Sequence, residues 1–472
     1  SADSDNDGLS DTYELLFKGS TEAFKPRIGD RIRLDLRELG FQGSYKLVGK
    51  LPVGMTFNAT TGVLEGKLTG KALTSALTIQ VLNGTTVVRS IPLSLPVGAF
   101  PASITGSWQA LLEDANGLPQ GLLTTTLSAP GRWTATLDVA GSTTIRSSSG
   151  TFDLDPAADS AKPVLSFPAL SGLPATTLRL AVDGPTALAD GSFTQGNLHG
   201  FRLARGAELP TATSPITLVI DHGEQDGFLI PAGMGWATGS LSTKGTITLS
   251  GQLGDAQSIK GSLKLGATGQ ALLWLKPYRS LSSRLGGVVS FHESGRVPLT
   301  PLSDSSSGLH WFRVADAGEL SYAGGFGPIA AEVGVRPFTA PASSLALSQS
   351  LGLSQQNFRG SVFEGGGLPD PGGAAAMPDA FALDATFKLI ALPIPGRLVA
   401  PWQGAINRKT GSFSGTLGVS ASTSGILAGK APVSGVLFPA GEGESVVGAG
   451  LVRIPVAGRT GAFRTGAVLM SR

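Results

Sequence analysis

Three stretches of this chain repeat one plan: a strand, a tight turn closing on glycine, then a second strand. The first runs from Gly121 to Leu137 and turns at Gly131, the second from Gly235 to Gly251 around Gly245, and the third from Trp402 to Leu417 around Gly411. A glycine at the turn suits a left-handed backbone, and the alternation on either side lets each hairpin bury one face. Further strands follow, ending in residues 150–154, 261–265 and 433–438. A chain built from such units has to pair its strands into sheets. Its 66 glycines and 30 prolines fit many tight turns, and Ser, Thr, Val, Leu and Gly alternate in short runs. With 41% hydrophobic residues, often recurring with a period of two, the chain is not expected to be disordered. The fold class predicted is all-β.

Residues 3 to 14 match the calcium-loop pattern D-x-[DN]-x-[DN]-G-x5-E in full. Asp3, Asp5 and Asp7 can converge on one hard cation, Gly8 permits the sharp turn, and Leu9 offers its backbone carbonyl. Asp11 and Glu14 complete the set, Glu14 with both oxygens. Five carboxylates within twelve residues repel one another without a cation, so the loop is expected to order when calcium binds. Asp11 to Lys18 can form a short helix ended by Gly19. An acidic loop followed by one short helix resembles the isolated calcium loops of thrombospondin type-3 repeats more than a paired EF-hand.

The stretch from Leu51 to Gly66, LPVGMTFNATTGVLEG, resembles the hallmark LPxGLxFdxxTGxixG of immunoglobulin-like domains in bacterial surface proteins. Met55 stands where Leu is usual, a conservative core swap. The resemblance implies an Ig-like β-sandwich closed by a hairpin, here Leu73 to Leu82 and Thr85 to Leu95 around Asn83-Gly84. From residue 103 onward the chain resembles a glycine-rich β-region of large secreted proteins from Verrucomicrobia. The residues carrying that resemblance are 233–254, Leu273-Trp274-Leu275, Leu309-His310-Trp311-Phe312-Arg313 and Gly325-Phe326. Towards the C-terminus Gly411 to Gly415, Phe438 and Gly448-Ala449-Gly450 add to it. Trp236-Ala237 departs from the Tyr-Gly usual there, and Val314 from a common Pro. That resemblance implies antiparallel β-barrel or sandwich repeats and no particular activity.

These readings divide the chain into a calcium loop and short helix (1–22), an Ig-like sandwich (23–98), and three β-repeat regions (99–215, 216–342 and 343–472). Joints are expected near Val97 to Ala102, Gly206 to Pro215, Arg336 to Ala342 and, most clearly, the Gly/Pro-rich Gly365 to Asp379.

Several function classes are disfavoured. The chain has no cysteine, which excludes disulfides and Cys-ligated zinc. The formal charge of +2 is spread thinly, without the basic runs of a nucleic-acid groove. No apolar run reaches the ~18 residues of a membrane-spanning helix. The sequence shows no G-x-S-x-G elbow, P-loop or HExxH. His222, in Asp221 to Asp226, and His292-Glu293 are the nearest approach to an acid–base or metal site; His199 and His310 read as structural or surface residues. Asp153, Asp155, Glu293 and Asp384 cannot be paired into a glycosidase dyad from sequence. Asn58 and Asn83 match the N-glycosylation pattern within turns. Six tryptophans, Trp108, Trp133, Trp236, Trp274, Trp311 and Trp402, could stack on sugar rings if exposed.

The expectation is therefore a non-enzymatic, secreted or cell-surface structural protein with structural calcium: a stalk, a filament subunit or an adhesive module. Its partners would be other copies of itself, cell-surface components or polysaccharide. The alternative is a carbohydrate-binding module of a polysaccharide-degrading system.

Overall fold

The computed structural model describes residues 26, 28–38, 40–98, 102–154, 163–167, 176–183, 186–193, 196–223, 229–291, 308–353, 357–363, 381–392, 402–419, 426–439, 446–457 and 460–472. They are nearly all strand, the strands pair antiparallel, and the predicted all-β fold class is what the chain adopts. By internal contacts they form two compact units. One comprises the described residues of Ser1–Ala110, Leu123–Leu137 and Arg146–Arg202, and the other those of Leu111–Leu122, Asp138–Ile145 and Leu203–Arg472.

The first unit begins with two three-stranded sheets. β1 (Arg31–Asp35), β4 (Val63–Lys67) and β3 (Met55–Asn58) make one; β2 (Ser44–Val48), β5 (Leu73–Asn83) and β6 (Thr86–Val97) make the other. Alternation along each strand puts Ile32 and Leu34 of β1, and Leu77, Ile79 and Val81 of β5, on buried faces. The turn between β3 and β4 is tied by Asn58 Oδ1, which accepts from the N–H of Thr60 and of Thr61.

Three meanders follow. The first is a nine-stranded sheet: β7 (Gly106–Asp114), β8 (Pro119–Leu127), β9 (Arg132–Val139), β10 (Arg146–Thr151), β11 (Asp153–Leu154), β12 (Pro163–Phe167), β13 (Thr176–Asp183), β14 (Thr186–Phe193) and β15 (Gly196–Arg202). β7 lies between β8 and β15, so the meander returns on itself; the pairing breaks between β10 and β11, which are separated in sequence by Phe152 alone.

The second meander has eight strands: β16 (Ser214–Asp221), β17 (Gly235–Leu241), β18 (Thr246–Gln252), β19 (Ser258–Lys264), β20 (Gln270–Leu275), β21 (Arg284–Ser290), β22 (Leu309–Arg313) and β23 (Phe326–Pro337). β16 pairs with both β17 and β23, and an isolated bridge, Leu265 to Ala271, spans the seam between β19 and β20. A short helix, α1 (Ser344–Ser350), capped by Ser343 Oγ on the N–H of Ala346, precedes the third meander. That one is a closed barrel of β24 (Asn357–Phe363), β25 (Phe381–Leu383), β26 (Lys388–Ala391), β27 (Trp402–Ile406), β28 (Ser412–Val419), β29 (Gly429–Leu437), β30 (Val446–Pro455) and β31 (Phe463–Ser471).

The three hairpin copies are β8–β9, β17–β18 and β27–β28. Their turn glycines are left-handed as expected, with φ of 80° at Gly131, 66° at Gly245 and 72° at Gly411. Each turn has a second role. The carbonyl of Gly131 accepts from the N–H of Phe152, that of Gly245 from Leu265, and that of Gly411 from Leu437. The apolar residue at the end of the next strand or just past it is thereby fixed under the turn and buried. A hairpin at β25–β26 has the same bonding with Phe387 in place of glycine: its carbonyl accepts from Ile406, at a φ of 64°.

The interiors of the second and third meanders are packed apolar cores. Inward-facing residues of successive strands fill them: Leu218, Ile247, Leu249, Leu273 and Leu285 in the second, and Phe381, Phe413, Val433 and Val468 in the third. Among the described residues no helix is long and apolar enough to cross a membrane.

Candidate functional site

The calcium ligands read from sequence, Asp3, Asp5, Asp7, Leu9, Asp11 and Glu14, lie outside the described residues. So do His292, Glu293 and Asp155. Among the described residues there is no group of three or more His, Asp or Glu positioned to hold a metal ion.

Among the described residues of the second meander, a buried polar cluster centres on one ion pair. β22 alternates buried and half-buried residues, which turns Leu309, Trp311 and Arg313 inward and leaves His310 on the other face. Arg313 is 6% exposed and would be a costly inward residue alone. Its Nη1 donates to Oδ2 of Asp255 at 2.7 Å, and its Nη2 donates to the carbonyl of Ser321 at 3.1 Å. Asp255 comes from the turn after β18. The Tyr278 hydroxyl, from just beyond β20, also donates to its Oδ2 at 2.7 Å, and the backbone N–H of Gln257 donates to Oδ1 at 3.0 Å. Trp311 Nε1 donates to the Tyr278 oxygen at 2.9 Å. Both carboxylate oxygens and the phenol are thus engaged in one chain of bonds.

Rings enclose the cluster. The His222 imidazole meets Trp311 edge-on at 5.3 Å, Phe326 meets it at 4.7 Å, and the Arg313 guanidinium lies over the Tyr278 ring at 5.0 Å. Burial dominates the electrostatics: it pushes the Asp255 carboxyl above the usual carboxylate range, against the pull of Tyr278, Gln257 and Arg313. It also pushes the Tyr278 phenol up and the His222 imidazole down, while His222 Nε2 donates to the Pro231 carbonyl at 2.5 Å. This arrangement locks the ends of several strands to one another. Its chemistry is that of a pinned ion pair.

The second and third meanders are joined by a separate contact. Val219, Val436, Phe438 and Ala449 form a buried apolar cluster, with Met234 and Trp236 packed against it. Trp236 Nε1 donates to Ser434 Oγ at 3.2 Å, and Ser434 Oγ donates to Gln252 Oε1 at 2.7 Å. Tyr322, left-handed at φ 54°, sets its hydroxyl 2.9 Å from Thr465 Oγ1 and accepts from the Thr465 N–H; burial carries its phenol up to about 12.

The remaining sequence candidates scatter. His199 is exposed on β15. His310 is half-buried, and burial lowers its imidazole against the pull of Asp114. Asp384 caps an exposed turn, where backbone N–H groups hold its carboxyl low. Trp108, Trp133, Trp274 and Trp311 are core residues, 0–8% exposed, so they offer no face to a sugar. The sequence reading missed Asp255 as a buried partner. The signal that pointed to one was Arg313 itself, an arginine in the inward register of an alternating strand.

Compared with known proteins, the chain matches no family model, and no curated protein aligns with it significantly.

Proposed function

We propose that this protein is a structural element of a secreted or cell-surface assembly, a stalk or filament segment or an adhesive module. Calcium is held by Asp3, Asp5, Asp7, Leu9, Asp11 and Glu14. The observation that supports this reading best is the joint between the second and third meanders, where an apolar cluster and the Trp236–Ser434–Gln252 bonds join two filled β-structures. A segment that transmits load gains from such a joint, because its parts then resist displacement together. Meanders that return on themselves leave few open edges. Among the described residues the three-stranded sheets do have edges. Of these β6 is the longest, with Val87 and Val88 exposed but Pro92 removing an N–H donor. Contacts between copies would form there or through side chains.

Single-molecule pulling of the whole chain between terminal handles tests the proposal. The expected record has residues 203–472 yielding as one high-force event, with Trp236→Ala dividing it into two. Two independent low-force events in the unaltered protein would overturn it.

A further inference from the structure

The outward face of the first hairpin copy is a patch of hydroxyls. Register pairs Ser147 with Thr136 and Ser149 with Thr134 across β10 and β9. Thr124 and Thr126 of β8 complete an open trough of about 550 Å³, whose lining is Thr and Ser apart from Ala135. Alternation explains why these side chains share a face: Trp133, Ala135 and Leu137 turn into the core, so Thr134 and Thr136 turn out.

Two features separate this patch from an ordinary solvated surface. The back row is already committed: Ser107 Oγ and Thr126 Oγ1 are 3.1 Å apart, and Gln109 Nε2 donates to Thr124 Oγ1 at 3.2 Å. Gln109 is 7% exposed, and its Oε1 is buried with no hydrogen-bond partner beside Thr124. The front row is uncommitted, since the hydroxyls of Thr134, Thr136, Ser147 and Ser149 make no hydrogen bond among the described residues. Charge is the second feature. No lining residue is ionisable, the exposed Arg132 standing beyond Thr134 at the end of the same face, whereas the matching face of the second copy sets Lys264 opposite Thr246 and Lys260 opposite Ser250.

We propose that this trough binds a neutral polysaccharide chain lying across the strands. A hydroxyl both donates and accepts, so an array of them is complementary to the hydroxyls of an uncharged sugar and has no charge to offer an acidic one. Strands spaced ~4.8 Å apart repeat at close to the length of one pyranose unit, so successive sugars meet successive strands. Each bond is weak, and the affinity comes from repetition along the polymer. This binding goes beyond the structural role and does not depend on it.

The test is affinity electrophoresis of the whole chain through hydroxyethylcellulose, dextran and a neutral β-glucan, with polygalacturonate as the charged comparison. At least one neutral polymer should retard the protein, and high salt should leave the retardation unchanged. Thr134→Val/Thr136→Val should weaken it about tenfold, while Thr248→Val on the second copy should not. If the first variant does not fold, Ser147→Ala/Ser149→Ala on exposed β10 carries the same expectation. The proposal is overturned by no retardation in any neutral polymer, by retardation in polygalacturonate alone, or by retardation that the trough variants leave intact. None of these results bears on the pulling experiment, so the two proposals fail separately.

Discussion

Replacing Arg313 with methionine is the sharpest perturbation of the buried cluster. Methionine keeps much of the stem and removes the charge, so the bonds to Asp255 Oδ2 and to the Ser321 carbonyl disappear together. Asp255, with its side chain 0% exposed, retains Tyr278 and Gln257 but loses its counter-charge. Stranding one member of a buried pair costs about 3–5 kcal/mol. The contact to Glu319 at 3.5 Å, near solvent, adds little. The cost should fall with pH. Burial already holds the Asp255 carboxyl above its ordinary range, and removing the arginine raises it further. A carboxyl with a raised folded-state pKa contributes most when protonated, so the variant recovers stability as pH drops towards the unfolded value of 3.8. Urea unfolding followed by tryptophan fluorescence at pH 7 and pH 5 reads both effects. Asp255→Leu in the Arg313→Met background should restore part of the loss, giving a coupling the two single variants lack. A change below ~1 kcal/mol that is the same at both pH values would refute a buried ionic lock.

Three further outcomes are expected. Ala256 holds a left-handed turn at φ 65°, and Ala256→Gly should stabilise the protein by roughly 0.5–1 kcal/mol once glycine's flexibility is set against the relieved strain, read as a higher urea midpoint. Burial lowers the His222 imidazole below 6.5, so unfolding takes up a proton as pH falls from 6.5 towards the folded-state value, and stability drops in that window; His222→Gln should flatten the slope, leaving the share from His310, and an unchanged slope would contradict it. Glu14→Gln, which removes the carboxylate charge at the last loop position, should weaken calcium binding in calorimetry by at least about tenfold, and equal affinity in both proteins would exclude the loop as the site.

Much of the architecture was legible in local pattern. Gly131, Gly245 and Gly411 marked turns because a residue that tolerates positive φ fits best there, and the alternation around them showed which side chains face inward. Phe387 and Ala256 occupy the same backbone conformation without that signal, and so their turns were not legible. Tryptophan was ambiguous in the same way: Trp311 stands in the inward register, yet indoles also serve as sugar platforms, and only the closed sheets decided for the core. What escaped altogether depends on contacts distant in sequence. Asp255 and Arg313 are 58 residues apart and Gln252 and Ser434 are 182 apart, and no local rule pairs them. The uncommitted hydroxyls of the trough are invisible for the same reason, since a serine's bonding depends on its neighbours in the sheet.

The structural role with bound calcium is tested most directly by electron microscopy of the native particle, with calcium and after chelation. Extended or assembled particles are expected in calcium, losing their order or their contacts when it is removed. Isolated, compact particles that look the same in both conditions at high concentration would contradict that role.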